Sequence, residues 1–342
     1  GLAAVALSGA SAEAFNATGV ANISNTTNGG KNVTIENKEV DGNIYGSNFT
    51  NSSNNSVTLK NVTTKANITQ DGSVWGGNYS AANSSGDSIG NIINITDGSV
   101  IHGSVIGGAS VNGTNNNTTY TGGDKGASSN QVFITGTAGK KVEVKSGVFG
   151  GAGAGKTVAN NNTITLEYVN VSGTTQNTSF GFVPVLNQSV MLEVAGTVLG
   201  GVTYGVAGVA NNKINAKHSN INGSLENNSI YAENTTIGGN VYGGYNINGT
   251  GAVNNSGTVN YTFQNNNSYV KGSNVTLRNV NVTGGTNYKL LDFQFNTEGN
   301  VFGGVAGSLS ATGNNVTITG NSTIHGIVVG GGSFGGYVGS FA

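Results

Sequence analysis

The most frequent pattern with a chemical meaning in this chain is asparagine followed two residues later by serine or threonine. It occurs about thirty times among 54 asparagines, whereas the serine and threonine content predicts about eleven. The reversed order, with the asparagine last, occurs only about ten times. Strand alternation would enrich both orders equally, so the excess has the direction that an oligosaccharyltransferase reads. The pattern predicts N-linked glycosylation of an extracellular protein.

The candidate glycosylation sites lie both inside and outside a repeated strand phrase. Copying of an Asn-Val-Thr phrase explains about eight of these sequons, whereas others, such as Asn48 and Asn187, lie outside it. Within the phrase Asn and Thr are predicted on the outer face of a strand, where a glycan would not disturb a core. Such heavy use is typical of archaeal or eukaryotic surface proteins. The candidate sites are Asn32, Asn61, Asn67, Asn94, Asn170, Asn234, Asn274, Asn281 and Asn321.

Residues suited to acid–base or metal chemistry are few and scattered. His102 and His325 share the context Ile-His-Gly-x-Val, but repeat-equivalent polar residues beside glycine are more often solvated corner residues. The 15 acidic residues form no recurring pair, and Arg278 is the single arginine, whereas polysaccharide-cleaving β-helices use clustered acids with basic neighbours. We therefore predict a protein that is not an enzyme and has no catalytic residue, cofactor or metal site.

Two further patterns could indicate ligand binding and are interpreted as structural. Acid–glycine pairs such as Asp71-Gly72 and Glu298-Gly299 are turn signals, and the calcium-binding nonapeptide of β-rolls is absent. The stretch from Gly150 to Thr157 has the spacing of a phosphate-binding loop. That motif needs a following helix, whereas residues 158–166 have the alternation of a strand.

The elements that must position these residues are marked by a recurring phrase, Gly-x-Val-aromatic-Gly-Gly. Eight copies occur, and the clearest lie at residues 72–77, 239–244 and 299–304. Successive copies are 27 to 60 residues apart, and the short spacings predict a core unit near 30 residues. The longer spacings predict insertions near residues 112–126, 178–192 and 287–295.

Strands of the form Asn-x-Val-Thr-Ile/Leu precede several of these phrases. In one copy Val275 and Leu277 share a face, and the next inward candidates are Val280 and Val282, so the alternation shifts by one residue. Such a shift turns the chain at a corner while the apolar face stays inward. No helical period of ten or more residues is visible. The pattern predicts an all-β fold, either an elongated repetitive β-solenoid or a two-sheet β-arch stack, with open ends.

The aromatic residues of the phrase occupy one repeat position. Alternation places each of them opposite the preceding Val or Ile, so one of the two sets must face outward or into a second layer. We expect the aromatic residues to stack as a ladder and to form an unburied apolar row for assembly. The candidate stacking and assembly residues are Tyr45, Trp75, Phe149, Tyr242 and Phe302.

Composition excludes several classes of function. Charged residues make up 8% of the 342 residues, against roughly 25% in ordinary soluble domains, and the net charge is −1. The low charge content and the near-zero net charge argue against nucleic acid as a partner. The chain has no cysteine, and it has no apolar run of 18 residues that would predict a transmembrane segment. Residues 1–14 have the pattern of a signal-peptide remnant or of a first apolar strand, and residues 15–342 are predicted to form one repetitive domain.

Two families share this repeat style. The phrase at residues 239–244 and strands such as Asn274-Val275-Thr276-Leu277 resemble the repeats of bacterial autotransporter passengers, which are parallel β-helices; the resemblance covers residues 30 to 342. In composition and sequon use the chain resembles the sheath proteins of filamentous methanogens. That resemblance implies a structural protein that assembles into a tubular cell envelope.

Physical reasoning about strand stacks leads to the same expectation. A stack has two ends with unpaired backbone groups, and soluble solenoids cap them with polar or helical segments. Residues 326–342 are apolar and glycine-rich, which predicts head-to-tail pairing into a homopolymer at the cell surface. The alternative is a β-helical surface adhesin that binds glycans or partner cells. A polysaccharide-cleaving enzyme ranks third.

Overall fold

The chain forms a stack of parallel β-strands. The structure, a computed structural model, describes residues 32–47, 52–68, 70–79, 86–115, 118–120, 125–155, 157–175, 196–204, 209–246, 249–253, 259–263, 269–285, 298–306 and 310–333. These residues form 28 strands and no helix. Most strands belong to a 14-stranded and a 10-stranded sheet whose successive turns of chain pair in parallel. The predicted all-β solenoid is confirmed.

In the described part of the chain the stack contains nine rungs, each with a first, a second and a third strand position. In four rungs one long strand bends through the first two positions. In order, the rungs are β1 (Asn32–Asp41) with β2 (Ile44–Tyr45); β3 (Ser56–Lys65) with β4 (Val74–Tyr79); β5 (Ile92–Thr96), β6 (Val100–Ile101) and β7 (Val105–Asn115); β9 (Gln131–Thr135), β10 (Val142–Val144) and β11 (Val148–Gly155); β12 (Thr163–Glu167), β13 (Val169–Val171) and β14 (Val198–Tyr204); β15 (Lys213–Lys217), β16 (Asn220–Ile221) and β17 (Leu225–Glu226); β18 (Ser229–Ile237) with β19 (Val241–Asn246); β23 (Asn274–Val282) with β24 (Val301–Ala306); and β26 (Asn315–Thr319), β27 (Thr323–Ile324) and β28 (Val328–Ser333).

The smallest rung shows the true repeat unit. Lys213 of the sixth rung pairs with Ser229 of the seventh, so one full turn takes 16 residues. Its third strand, β17, lacks the glycine pair and was not recognised in the sequence. The expected unit near 30 residues is therefore wrong, because the longer spacings include chain inserted after the third strand or, in the fifth and eighth rungs, between the second and third strands. A three-sided coil, rather than a two-layer arch, describes this cross-section.

The corner between the first two strand positions explains the shift in alternation. One residue there adopts a left-handed backbone conformation, with φ of 52° at Asn37, 51° at Asn61, 49° at Asn234 and 52° at Asn279. Asparagine tolerates this region better than most residues because its short side chain bonds locally. The predicted corner is confirmed, since this residue reverses the parity while the apolar side chains continue inward.

A continuous apolar core runs through the stack. In the eighth rung Val275, Leu277, Val280, Val282 and Val301 are each at most 1% exposed, and the other rungs supply equivalent side chains. Parallel pairing places like residues directly above one another. The core therefore consists of columns, and each rung covers the one below it.

Chain outside the stack forms three small additions. Residues predicted as a loop near 112–126 instead include the antiparallel pairing of β7 with β8 (Thr118–Tyr120). A second hairpin joins β20 (Gly249–Val253) to β21 (Val259–Phe263), and β22 (Tyr269–Lys271) pairs with β25 (Ser310–Thr312). Residues 1–14 and the predicted insertions at 178–192 and 287–295 lie outside the described residues.

The glycine that follows the aromatic position is required by close approach between rungs. A Cβ at Gly150 would collide with the carbonyl oxygen of Gly200 in the next rung, and it would lie 2.7 Å from the Cβ of Asn162. Gly46, Gly76 and Gly107 meet the same obstacle in their rungs. This column of glycines therefore lets the third strands stack tightly.

Replacing one glycine of this column should destabilise the whole stack. We expect Gly150→Ala to lower the free energy of unfolding by about 3 kcal/mol, because backbone atoms of two rungs must move apart. Thermal unfolding followed by circular dichroism measures the change. Gly139→Ala is the matched control, since a Cβ there has no neighbour within 4 Å. Equal melting temperatures for the two variants would refute the steric argument.

Candidate functional site

The nine candidate glycosylation asparagines lie in or beside strands of the 14-stranded sheet, and none is buried. Seven are exposed, whereas Asn94 in β5 and Asn170 in β13 are half-buried. Asn61 and Asn234 occupy left-handed corners, where the side chain points away from the core. These side chains are therefore accessible in the folded chain.

Burial separates the asparagines into two populations. Eleven asparagines are buried in the described residues, and of these only Asn227 begins a sequon. Most of the exposed asparagines in the same residues, by contrast, begin one. A sequon excess caused by composition alone would not follow solvent exposure. The separation gives support to the glycosylation hypothesis that is independent of the sequon count.

The buried asparagines form a hydrogen-bonded ladder that sequence reasoning missed. From Asn55 to Asn212, the Nδ2 of each donates to the Oδ1 of the asparagine in the next rung over 2.8 to 3.1 Å, and its backbone N–H donates to the same oxygen. The last ladder asparagine, Asn228, donates instead to the carbonyl of Val209. The ladder residues are Asn55, Asn91, Asn130, Asn162, Asn212 and Asn228. The available signal was an asparagine directly before a first strand that does not itself begin a sequon.

A second polar column lies at the corner before the third strand. The Oγ of Ser73 accepts the backbone N–H of Ser104, and the Oγ of Ser104 accepts that of Gly147. Further along, the Oδ1 of Asn240 accepts the N–H of Asn300, whose own Oδ1 accepts that of Ile327. This column therefore satisfies backbone donors at a corner where strand pairing is interrupted.

The five aromatic candidates are all buried. Their exposed fractions are 4% for Tyr45, 0% for Trp75 and Phe149, 7% for Tyr242 and 2% for Phe302. They lie on the third strands opposite the valine column, so they pack in a second layer outside the main core. The expected unburied apolar row is therefore wrong, because alternation gives the face of a side chain but not what covers it.

Two pairs of these rings are stacked across neighbouring rungs. The centroids of Tyr45 and Trp75 lie 5.9 Å apart, and those of Tyr242 and Phe302 lie 5.4 Å apart. The Nδ2 of Asn43 donates to the hydroxyl of Tyr45 over 3.0 Å. Burial raises the pKa of Tyr45 to about 12. These phenols are structural groups that stay protonated.

One end of the stack is uncovered. The valine column of the third strands is 0% exposed in the first eight rungs, whereas Val328 in the ninth is 48% exposed. Val316, Ile318 and Ile324 of the same rung are only partly buried. The Nδ2 of Asn314, at the ladder position of this rung, has no hydrogen-bond partner although the residue is 8% exposed.

At the opposite end of the stack the inward side chains are covered. Inward side chains of the first rung, such as Val33 and Ile35, are at most 1% exposed. Among the described residues β1 pairs only with β3, on one side. The expectation of open ends therefore holds for the apolar face of the ninth rung and not for that of the first.

The residues considered for catalysis or ligand binding are dispersed. His102 is half-buried with Nδ1 3.0 Å from the carbonyl oxygen of Asp71, and His325 occupies the equivalent corner six rungs away. The described residues contain no group of three metal-ligating side chains. The phosphate-loop spacing at Gly150 falls within β11, a strand. No membrane-spanning helix is found in the described part of the chain.

Asp71 is a buried carboxylate at a corner of the second rung. Its Oδ1 accepts a hydrogen bond from the Ser73 hydroxyl over 2.7 Å, whereas Oδ2 has no partner, and the residue is 8% exposed. Burial raises the pKa of this carboxyl, and the bond from Ser73 opposes the shift only in part. The charged form is therefore unfavourable in the folded state.

This carboxylate should make stability depend on pH. Because the pKa of Asp71 is higher in the folded chain, its contribution is fully present below the unfolded pKa and is lost as pH rises through the folded pKa. We expect Asp71→Asn to match the unmodified chain near pH 3 and to exceed its stability at pH 7 by about 1 kcal/mol. Thermal unfolding across this range measures the difference. Asp97→Asn, at an exposed corner, is the control, and a pH-independent difference for Asp71→Asn would contradict the assignment.

Comparisons with protein families, with curated proteins and with solved structures find no match for this chain.

Proposed function

We propose that this chain is a structural protein that self-assembles by edge-to-edge β-strand pairing into an extracellular, glycosylated sheath, surface layer or filament. The observation that carries the proposal is the uncovered ninth rung. Val328 ends a column of side chains that is otherwise fully buried, and it is 48% exposed. A further rung, supplied by a second copy of the chain, would bury it as the internal rungs are buried.

The backbone of the ninth rung is suited to such pairing. The N–H of Asn315 donates back to the carbonyl of Ser273 in the eighth rung. In a parallel ladder alternate residues bond to opposite neighbours, so the N–H groups of Val316 and Ile318 face away from the stack. Covering the partly buried apolar side chains of this rung would add about 1 kcal/mol each, roughly half the value for full burial.

Charge also favours assembly. Among the described residues three ion pairs join neighbouring rungs, including Lys65 with Glu39 at 2.9 Å and Arg278 with Glu233 at 3.9 Å. With a net charge of −1, little repulsion opposes the approach of identical copies. Together with exposed sequons, this supports the resemblance to methanogen sheath proteins. The alternative is a surface adhesin that acts as a single molecule.

Glycosylation should follow the exposure of the sequons. We expect the native protein to exceed the 34.2 kDa of the bare chain, and glycopeptides to include exposed sites such as Asn32, Asn61 and Asn274. Asn227 should be unmodified, because it is 2% exposed and a glycan would not fit in the core. Intact-mass measurement and peptide mapping test this. A native mass equal to that of the bare chain, or a glycan at Asn227, would disprove the hypothesis.

Assembly should require the apolar face of the ninth rung. We expect the double variant Ile318→Lys/Val328→Lys to remain dispersed under conditions in which the unmodified chain forms polymers, because two inward side chains then carry charge. Electron microscopy and sedimentation measure assembly. Thr317→Lys is the matched control, since Thr317 is exposed on the outer face of β26. Single rods of the unmodified chain at high concentration would instead favour the adhesin, and polymers of the double variant would exclude this end as the joint.

A further inference from the structure

The outer face of the 14-stranded sheet carries a second feature that self-assembly does not use. The structure gives the solvent exposure of eight aromatic side chains, and the five on third strands are buried. The other three, Phe133, Tyr168 and Tyr231, are half-exposed, and all lie on the fourth to seventh rungs. We refer to Phe133, Tyr168, Lys217, His218, Tyr231 and Glu233 as the aromatic patch.

Strand register brings these residues onto one surface. Phe133 pairs with Thr165, Thr165 with Asn215, and Asn215 with Tyr231, so the two aromatic rings lie in one outward column three rungs apart. At the adjoining corner the ring of Tyr168 stacks on that of His218, with centroids 4.7 Å apart and 8° between planes. The patch is thus a flat surface with aromatic rings along one column and one edge.

Polar groups fill the space around the rings. The hydroxyl of Tyr231 donates to Oε2 of Glu233 over 3.2 Å, and Nζ of Lys217 lies 5.7 Å from the Tyr231 ring centroid. Glu167, Lys217 and Glu233 occupy one column with alternating sign, and Arg278 follows Glu233. Opposite charges on neighbouring rungs leave the patch close to neutral, so it does not select a highly charged partner.

No sequon begins at the outward first-strand positions of the fourth to seventh rungs. On the first strands they occur at Asn32, Asn94, Asn274 and Asn315, in the first, third, eighth and ninth rungs, and not within the first strands of the fourth to seventh. The nearest exposed ones, Asn161 and Asn234, lie at the corners that bound the patch. A glycan at Asn234 would lie beside His218 at the edge of the patch, so the part of the patch free of sequons is the outward column of Phe133 and Tyr231.

From this surface we infer a binding site for a neutral oligosaccharide of about three sugar units. Three rung spacings give a length of about 14 Å and a five-residue strand gives about 16 Å, so the patch covers roughly 220 Å². A stable protein interface needs about 800 Å² on each partner. Aromatic rings pack against the CH faces of sugar rings, and the surrounding hydroxyl, amide and charged groups bond to sugar hydroxyls. The site is independent of the uncovered ninth rung, so it stands whether or not the chain polymerises.

Saccharide titration of the full chain tests the inference. The neutral probes are cellotriose, maltotriose and triacetylchitotriose, with trigalacturonate as the anionic comparison, followed by saturation-transfer NMR and calorimetry. We expect saturable binding of at least one neutral probe, and a loss of at least about tenfold in affinity for Tyr231→Thr. Threonine is chosen because Thr34, Thr58, Thr165 and Thr276 occupy the same column.

Controls separate the patch from general effects. Thr58→Ala, in the same column but outside the patch, should change affinity less than twofold, and Phe133→Thr provides a second variant if Tyr231→Thr lowers the melting temperature. The inference would be overturned if Tyr231→Thr and Phe133→Thr both bound as tightly as the unmodified chain, if no neutral probe bound saturably, or if the chain preferred trigalacturonate. Self-association lost in Tyr231→Thr would overturn it too, by identifying a second copy as the occupant.

Discussion

The buried asparagine ladder is the interaction on which the rest of this fold depends. Each Oδ1 accepts two hydrogen bonds from the preceding rung, so a ladder asparagine is satisfied only when its neighbours lie in register on both sides. A buried amide without partners costs about 1–3 kcal/mol, which penalises any slip between rungs. The ladder thus fixes the stacking of the second to seventh rungs, where the valine column and the glycine contacts follow from that register. In the eighth rung Ser273 takes the ladder position, and its backbone N–H donates to the Oδ1 of Asn314.

A fixed register explains why the spacing between repeats is so irregular. In the sixth rung Glu226 is followed directly by the corner and by ladder residue Asn228, and the turn closes in 16 residues. Elsewhere the chain continues past the third strand, as β7 does to Asn115, before it returns to the ladder. Since the ladder positions decide where the chain re-enters, inserted length does not disturb the core. The spatial arrangement of each rung is therefore constant, although the number of residues per repeat varies.

The alternation of apolar and polar residues predicted the features of the structure that depend on neighbours in the sequence. Alternation identified the inward residues of β23, and the parity shift located the corner at Asn279. Contacts between rungs were not predictable in this way. Asn162 and Asn161 are adjacent and chemically identical, yet one lies in the ladder and the other in solvent. The burial of Trp75 likewise depends on a layer that alternation cannot reveal. Of the candidate sites, the sequence indicated the sequons and the apolar end at residues 326–342, but not the aromatic patch.

The ladder also has a direction, and this restricts how copies can meet. The Nδ2 groups of the ladder residues from Asn55 to Asn212 donate toward the later rung, whereas that of Asn228 donates to the carbonyl of Val209. At the open face, the ninth rung presents the Nδ2 of Asn314 as a donor without a partner. If two ninth rungs met face to face, each would present a hydrogen-bond donor to the other. Neither would supply the acceptor that an internal rung offers to its neighbour. Continuing the internal pattern requires an acceptor from a rung that runs in the same sense. A polymer that extends this stack is therefore polar, with all copies pointing the same way.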